Sequence, residues 1–128
     1  MNISHIDHLV LTVRSIDATI AFYTQVLGMR EETFGVGRKA LLFGRQKINL
    51  HEAGREFEPK AVRPTPGSGD LCFIATTPIT EIIDHLQTQR IPIIEGPVAR
   101  TGAVGKILSV YVRDPDDNLI EIANYEST

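Results

Sequence analysis

The sequence predicts an α+β fold of two tandem βαβββ modules, at about residues 4–52 and 69–125, forming a cleft-shaped mixed sheet with helices on its outer face. Three observations carry this. An order of β-branched run, helix-spaced run and three short β-rich runs occurs twice. Between the two occurrences, residues 52–68 hold Pro59, Pro64 and Pro66 with mixed charge and little periodicity, the pattern of a linker crossing the surface. Each module has one helix to cover one face of its strands, so neither buries much core alone, and a 128-residue chain has the size of one domain.

Element by element, Ile6 to Val13 is rich in β-branched residues and ends at Ser15, a good helix N-cap. Ile16, Ile20, Phe22, Tyr23, Val26 and Leu27 then recur at helical spacing, and Gly28 offers the left-handed residue that follows many helices. Strands are expected at 29–35, 38–44 and 46–51, with turns at Gly35 to Gly37 and at Gly44-Arg45. In the second module Asp70 to Ala75 reads as a strand. Thr77 and Pro78 are expected to cap and begin a helix whose stripe is Ile79, Ile82, Ile83 and Leu86. Strands at 91–99, 106–113 and 118–125 complete it. Overlaying the modules pairs His8 with Asp70, Ser15 with Thr77, and Lys47 to Leu50 with Leu119 to Ile122.

Composition narrows the function classes. Hydrophobic residues at 42% and charged residues at 23% describe an ordinary globular chain. Apolar runs such as Leu9 to Val13 are far below the ~20 residues of a membrane helix, and the N-terminus lacks an export pattern. No membrane association is expected. A lone cysteine, Cys72, needs no oxidising compartment, so a cytoplasmic location is expected. The net charge of −3 with scattered Lys and Arg gives no basic stripe, which argues against nucleic acid. A small-molecule substrate is the remaining partner class.

Side chains alternate between the faces of a strand. Leu9, Leu11 and Val13 form the helix-covered face of the first strand, so His8 points the other way. The same alternation sets Asn49 and His51 opposite Ile48 and Leu50, Asp70 and Cys72 opposite Leu71 and Phe73, and Glu121 opposite Ile120 and Ile122. The polar exceptions in apolar strands thus share the face away from the helices, as a site lined by His8, Asn49, His51, Asp70 and Glu121 would require. Imidazole and carboxylate suit a divalent Ni, Zn, Mn or Fe ion, which would offset the cost of burying Asp70 and Glu121. The plainer alternatives are a hydrogen-bonded strand histidine and a core ion pair at Glu121. His85 reads as a solvated surface residue off the helix stripe, His5 as a frayed end, and Cys72 as a small apolar filler. Thr101 to Lys106 fails the phosphate-loop pattern, because Arg100 stands where its first glycine belongs and Ile107 follows Lys106. It reads as a loop able to close over the site, offering Arg100 and Lys106 to an anionic substrate; an ordinary surface turn is the alternative.

Three motifs, Ile6-Asp7-His8-Leu9-Val10-Leu11-Thr12-Val13, Phe22-Tyr23-x-x-Val26-Leu27-Gly28-Met29 and Asp114-Pro115-Asp116-Asp117-Asn118-Leu119-Ile120-Glu121, closely resemble the vicinal oxygen chelate superfamily. That group includes glyoxalase I, bleomycin resistance proteins and extradiol dioxygenases. The Ile48 to Glu52 segment and the Gly-Ala-x-Gly loop are similar to glyoxalase domain-containing proteins of the glyoxalase-5 type. The resemblance implies that His8 and Glu121 match the first-strand and last-strand metal ligands. Asn49 falls where glyoxalase I-like members place Glu or Gln, and Asp70 where many place a second histidine. With Asn49 a poor ligand, His51 on the same face is expected to complete the set of His8, His51 and Glu121, leaving Asn49, Asp70, Arg100 and Lys106 to the substrate. The implied activity is a metal-dependent lyase or isomerase with Glu121 as base. An Fe(II) extradiol dioxygenase and a non-catalytic drug-sequestering protein are the alternatives. Folds of this resemblance expose strand edges, so a homodimer is expected.

Overall fold

The structure, a computed structural model, describes residues 1–126 and divides the chain into two compact units, one up to Ser68 and one from Gly69 onward. The first unit contains β1 (His8–Val13), α1 (Ile16–Gln25), β2 (Arg30–Phe34), β3 (Arg38–Phe43) and β4 (Gln46–Glu52). The second repeats the order with β5 (Asp70–Ile74), α2 (Ile79–Thr88), β6 (Glu95–Thr101), β7 (Lys106–Arg113) and β8 (Leu119–Tyr125). The strands form two four-stranded mixed sheets, ordered β1-β4-β3-β2 and β5-β8-β7-β6. In each, the first and last strands pair in parallel and the rest antiparallel. A helix makes the crossover that a parallel pair needs. No helix among the described residues is long and apolar enough to cross a membrane.

Helix α1 starts as the sequence predicts, with the Ser15 hydroxyl accepting the Ala18 N–H at 3.1 Å. Beyond its last residue, Gln25, Gly28 takes a φ of 73° that lets the Met29 N–H reach back to the Tyr23 carbonyl at 2.9 Å. Helix α2 departs from expectation. Pro78 itself is the N-cap and no side chain caps the helix. The Thr77 carbonyl instead accepts from Asn124 Nδ2 at 2.9 Å, fixing that residue to β8 ahead of the helix. Strand β6 begins at Glu95, later than residue 91, because Pro92 has no N–H for the ladder.

In the first unit Leu11, Val13, Leu41, Ile48 and Leu50 are buried, as are Phe22 and Tyr23 of α1 and Val26 just after it. The second unit buries Val110, Val112, Ile120 and Ile122 with Ile82 and Leu86 of α2. Each such side chain contributes about 1.5–3 kcal/mol. The turn between β7 and β8 is a polar knot. Both carboxylate oxygens of buried Asp114 are used, Oδ1 by the N–H groups of Asp116 and Asn118 and Oδ2 by Asn118 Nδ2. Asn118 Oδ1 then accepts the Gly69 N–H at 2.7 Å, tying the start of β8 to that of β5. Between Glu95 and Val98 the β6–β7 register shifts, and Gly96 lies there at a φ of 106°. A Cβ on Gly96 would collide with the Ser109 carbonyl oxygen.

Candidate functional site

In the first unit, strand register sets out the face that the helix leaves open. His8, Val10 and Thr12 lie beside Lys47, Asn49 and His51, and Asn49 lies beside Ala40. His8 is at the end of this row and half-exposed, its Nδ1 2.8 Å from Asp7 Oδ2; that hydrogen bond holds the Asp7 carboxyl below its usual range. His51 is at the other end and buried, with its Nε2 3.4 Å from Arg38 Nη2 and its ring edge-on to Phe57. A guanidinium can only donate, so this contact uses the lone pair of a neutral imidazole. Burial first, then the Arg38 charge, holds the His51 pKa below its ordinary value of 6.5. The Arg38 guanidinium lies 5.0 Å from the ring centre of Phe34 and 4.5 Å from that of Phe57. Buried Asn49 Oδ1 and Arg38 Nε have no hydrogen-bond partner.

These donors do not fit a metal ion within the first unit. His8 stands opposite Lys47 and His51 opposite Thr12, four positions apart along parallel strands, or about 13 Å. The expected pairing of His8 with His51 on one ion therefore departs from the register. His8 is paired with the Asp7 carboxylate, and His51 has the Arg38 guanidinium beside it, a charge that opposes a cation there. Among the described residues no three His, Cys, Asp or Glu side chains are grouped as a metal site.

In the second unit, Cys72 and Tyr111 flank Glu121 in register, and Ser109 lies beside Ala123 on the same open face. Ser109 Oγ donates to Glu121 Oε2 at 2.6 Å. Desolvation and the neighbouring Glu121 push the Cys72 thiol up to about 11, which keeps it protonated at neutral pH; the residue is exposed in a cavity wall and is not the buried filler expected. Tyr111 accepts from Arg100 Nε at 3.0 Å, and Arg100 also pairs with Glu95 at 3.2 Å. A cavity of about 380 Å³ opens here, with Cys72, Glu121, Arg100 and Tyr125 among its walls. Of the expected substrate contacts, Arg100 lines this cavity, whereas Asp70 and Lys106 do not. Asp70 is opposite Leu119 at the start of its strand, and Lys106 is exposed opposite Thr101. The 101–106 segment is a tight turn closed by Gly102 N–H to Gly105 O at 2.7 Å and Val104 N–H to the Tyr125 hydroxyl at 3.2 Å.

Sequence reasoning missed Arg38, Phe34, Ser109 and Tyr111, although the alternation applied to β1, β4, β5 and β8 would have found them on β2, β3 and β7. Phe57 had no such signal. It comes from the 52–68 segment, which does more than link, since it returns an aromatic ring to the open face.

A model of the Glyoxalase/Bleomycin resistance protein/Dioxygenase superfamily matches residues 5–122. The chain is 61% identical to virulence protein STM3117 of Salmonella typhimurium, over 98% of this chain and 87% of that one. The crystal structure of that protein superposes with a TM-score of 0.97, covering 98% of this chain and 100% of the other at 60% identity. Glyoxalase domain-containing protein RDO1 of Mycosarcoma maydis is 58% identical over 98% of this chain and 71% of its own. More distantly, the structure of lactoylglutathione lyase from Agrobacterium tumefaciens is 25% identical with a TM-score of 0.74, covering 96% and 95% of the two chains.

Proposed function

Because the chain belongs to the glyoxalase/bleomycin resistance protein/dioxygenase superfamily, we propose that it is a glyoxalase-type lyase or isomerase that moves a proton at a carbon next to a carbonyl, with Glu121 as the base. The observation that carries this reading is the Glu121 carboxylate in the wall of the 380 Å³ cavity, oriented by the Ser109 hydroxyl at 2.6 Å. A base must be held at hydrogen-bond reach of the proton it takes, and a donor on its second oxygen orients it. Glu121 takes the C–H proton and returns it to the neighbouring carbon, so the reaction needs no oxidant. Arg100, on the same wall, supplies positive charge toward the enolate oxygen as it forms. The divalent ion that the resemblance implies enters no step, since the donors of the first unit do not fit one. We further propose that the protein works as a cytoplasmic homodimer.

The test is proton exchange in D2O, followed by NMR, with a panel of α-hydroxycarbonyl compounds and 2-oxoaldehyde–thiol adducts. Glu121→Gln is expected to lower exchange by roughly 10²–10⁴-fold, the usual worth of a positioned base. Ser109→Ala should lower it less. Full exchange in Glu121→Gln, or oxygen uptake with catechols in place of exchange, would overturn the reading.

A further inference from the structure

Arg38 is a cation that the first unit holds without giving it a counter-charge. Among the described residues no carboxylate pairs with it, and its Nε–H is buried with no acceptor. Leaving such a donor unsatisfied costs about 1–3 kcal/mol, so the arrangement is complete only when an acceptor arrives. The Phe34 and Phe57 rings both lie within 5.0 Å of the guanidinium, and an aromatic ring meets a guanidinium through its face, so a polar ligand is left to meet its edge. The group that meets a guanidinium edge in its own plane with two oxygens is a carboxylate.

A second buried group points to the same ligand. Asn49 is 7% exposed, and its Oδ1 has no partner. It is one pleat from His51 on the same face of β4, about 6.6 Å along the strand, and Arg38 contacts His51. An amide oxygen in this position accepts a hydroxyl or amine proton. Phe57, 42% exposed on the irregular segment after β4, is the wall that yields to admit the ligand and then packs on its apolar part.

We propose that the open face of the first unit is a binding subsite for a small hydroxycarboxylate, with the carboxylate on Arg38 and the hydroxyl on Asn49. The position that family resemblance assigns to metal ligation in β4 thereby serves an organic anion. The proposal rests on the first unit alone and is independent of the role of Glu121.

The experiment is an NMR titration of the full chain, observing the Arg38 Nε–H and His51 ring signals, with 3-hydroxybutyrate, butyrate, inorganic phosphate and Zn2+ as separate probes. 3-Hydroxybutyrate is expected to bind with a Kd on the order of 1 mM. It should bind more tightly than butyrate and shift both residues. Arg38→Gln is expected to weaken it by at least about tenfold, and Arg38→Lys nearly as much, because an ammonium lacks the planar fork. Asn49→Ala should remove the preference for 3-hydroxybutyrate over butyrate. Phe57→Leu, on an exposed loop, gives a folded protein with weakened binding should the Arg38 variants fail to fold. The proposal is overturned if carboxylates leave both signals unmoved, if phosphate binds as well as the carboxylates, if Arg38→Gln or Phe57→Leu binds like the parent, or if Zn2+ alone engages His51 tightly.

Discussion

Replacing Asn118 by alanine is expected to destabilise the protein by about 3 kcal/mol, and the hydrogen bonds of the β7–β8 turn give the figure. Asn118 is 1% exposed and uses both ends of its amide. Nδ2 donates to the Asp114 carboxylate at 2.8 Å, and a bond to a charged group contributes about 1.5–3 kcal/mol. Oδ1 accepts the Gly69 N–H at 2.7 Å, worth about 1 kcal/mol, part of which water recovers because Gly69 is half-buried. Asp114 keeps the N–H groups of residues 116 and 118 in the variant, which prevents a larger loss. For a chain of this size the change corresponds to a fall of about 10 °C in Tm. Urea unfolding followed by far-UV circular dichroism measures it. Asn118→Asp keeps the acceptor for Gly69 but sets a second carboxylate against Asp114, so at pH 7 it should be no better than alanine. A loss below about 1 kcal/mol in Asn118→Ala would show that the knot does not hold β5 and β8 in register, and the reasoning would fail.

Three further outcomes are expected. His51 has a folded pKa below its unfolded value, so the unfolded chain binds more protons between the two; its contribution to stability is complete above about pH 6.5 and is lost as pH falls below that. His51→Gln should flatten the stability profile between pH 5 and 7, and an unchanged slope there would exclude His51 as its source. Cys72, with its thiol pushed up to about 11, should react with a disulfide reagent at pH 8 roughly 100-fold more slowly than an unperturbed thiol, and faster in Glu121→Gln; a rate like that of free cysteine would contradict the desolvation argument. Light scattering at micromolar concentration should give twice the 14.2 kDa chain mass, and a stable monomer would refute the proposed dimer.

The fold was legible because its signals are local. β-branched runs, the Ser15 cap and Gly28 each act within a few residues, and the structure has a strand, helix or turn at each of them. Boundaries slipped where a distant group intervened, as at Thr77, whose carbonyl is held by Asn124. The candidate site was legible in part for the same reason. Strand alternation is a property of the chain itself and correctly set Asn49 and His51 opposite buried Ile48 and Leu50. Which of these side chains meet depends on register, and register belongs to pairs of strands. Without it His8 and His51 looked like neighbours on one face, when their strand partners put them at opposite ends of the row. Arg38 lay within reach of the same alternation on β3, but the Phe57 ring beside its guanidinium comes from a segment with no periodicity to read.

The bulge at Gly96 bears on any attempt to reshape the second unit. Residues that face the cavity, such as Ala103 and Ile74, can be exchanged with their consequences confined to the space they border. Gly96 does not face it. The backbone of β6 presses there directly on the strand that carries Ser109, so a single added methyl would push that strand, and with it the hydroxyl that orients Glu121. A library sampling every amino acid along β6 should therefore find its least tolerant position behind the cavity wall, where selection acts on thickness and the chemistry of a side chain has no part.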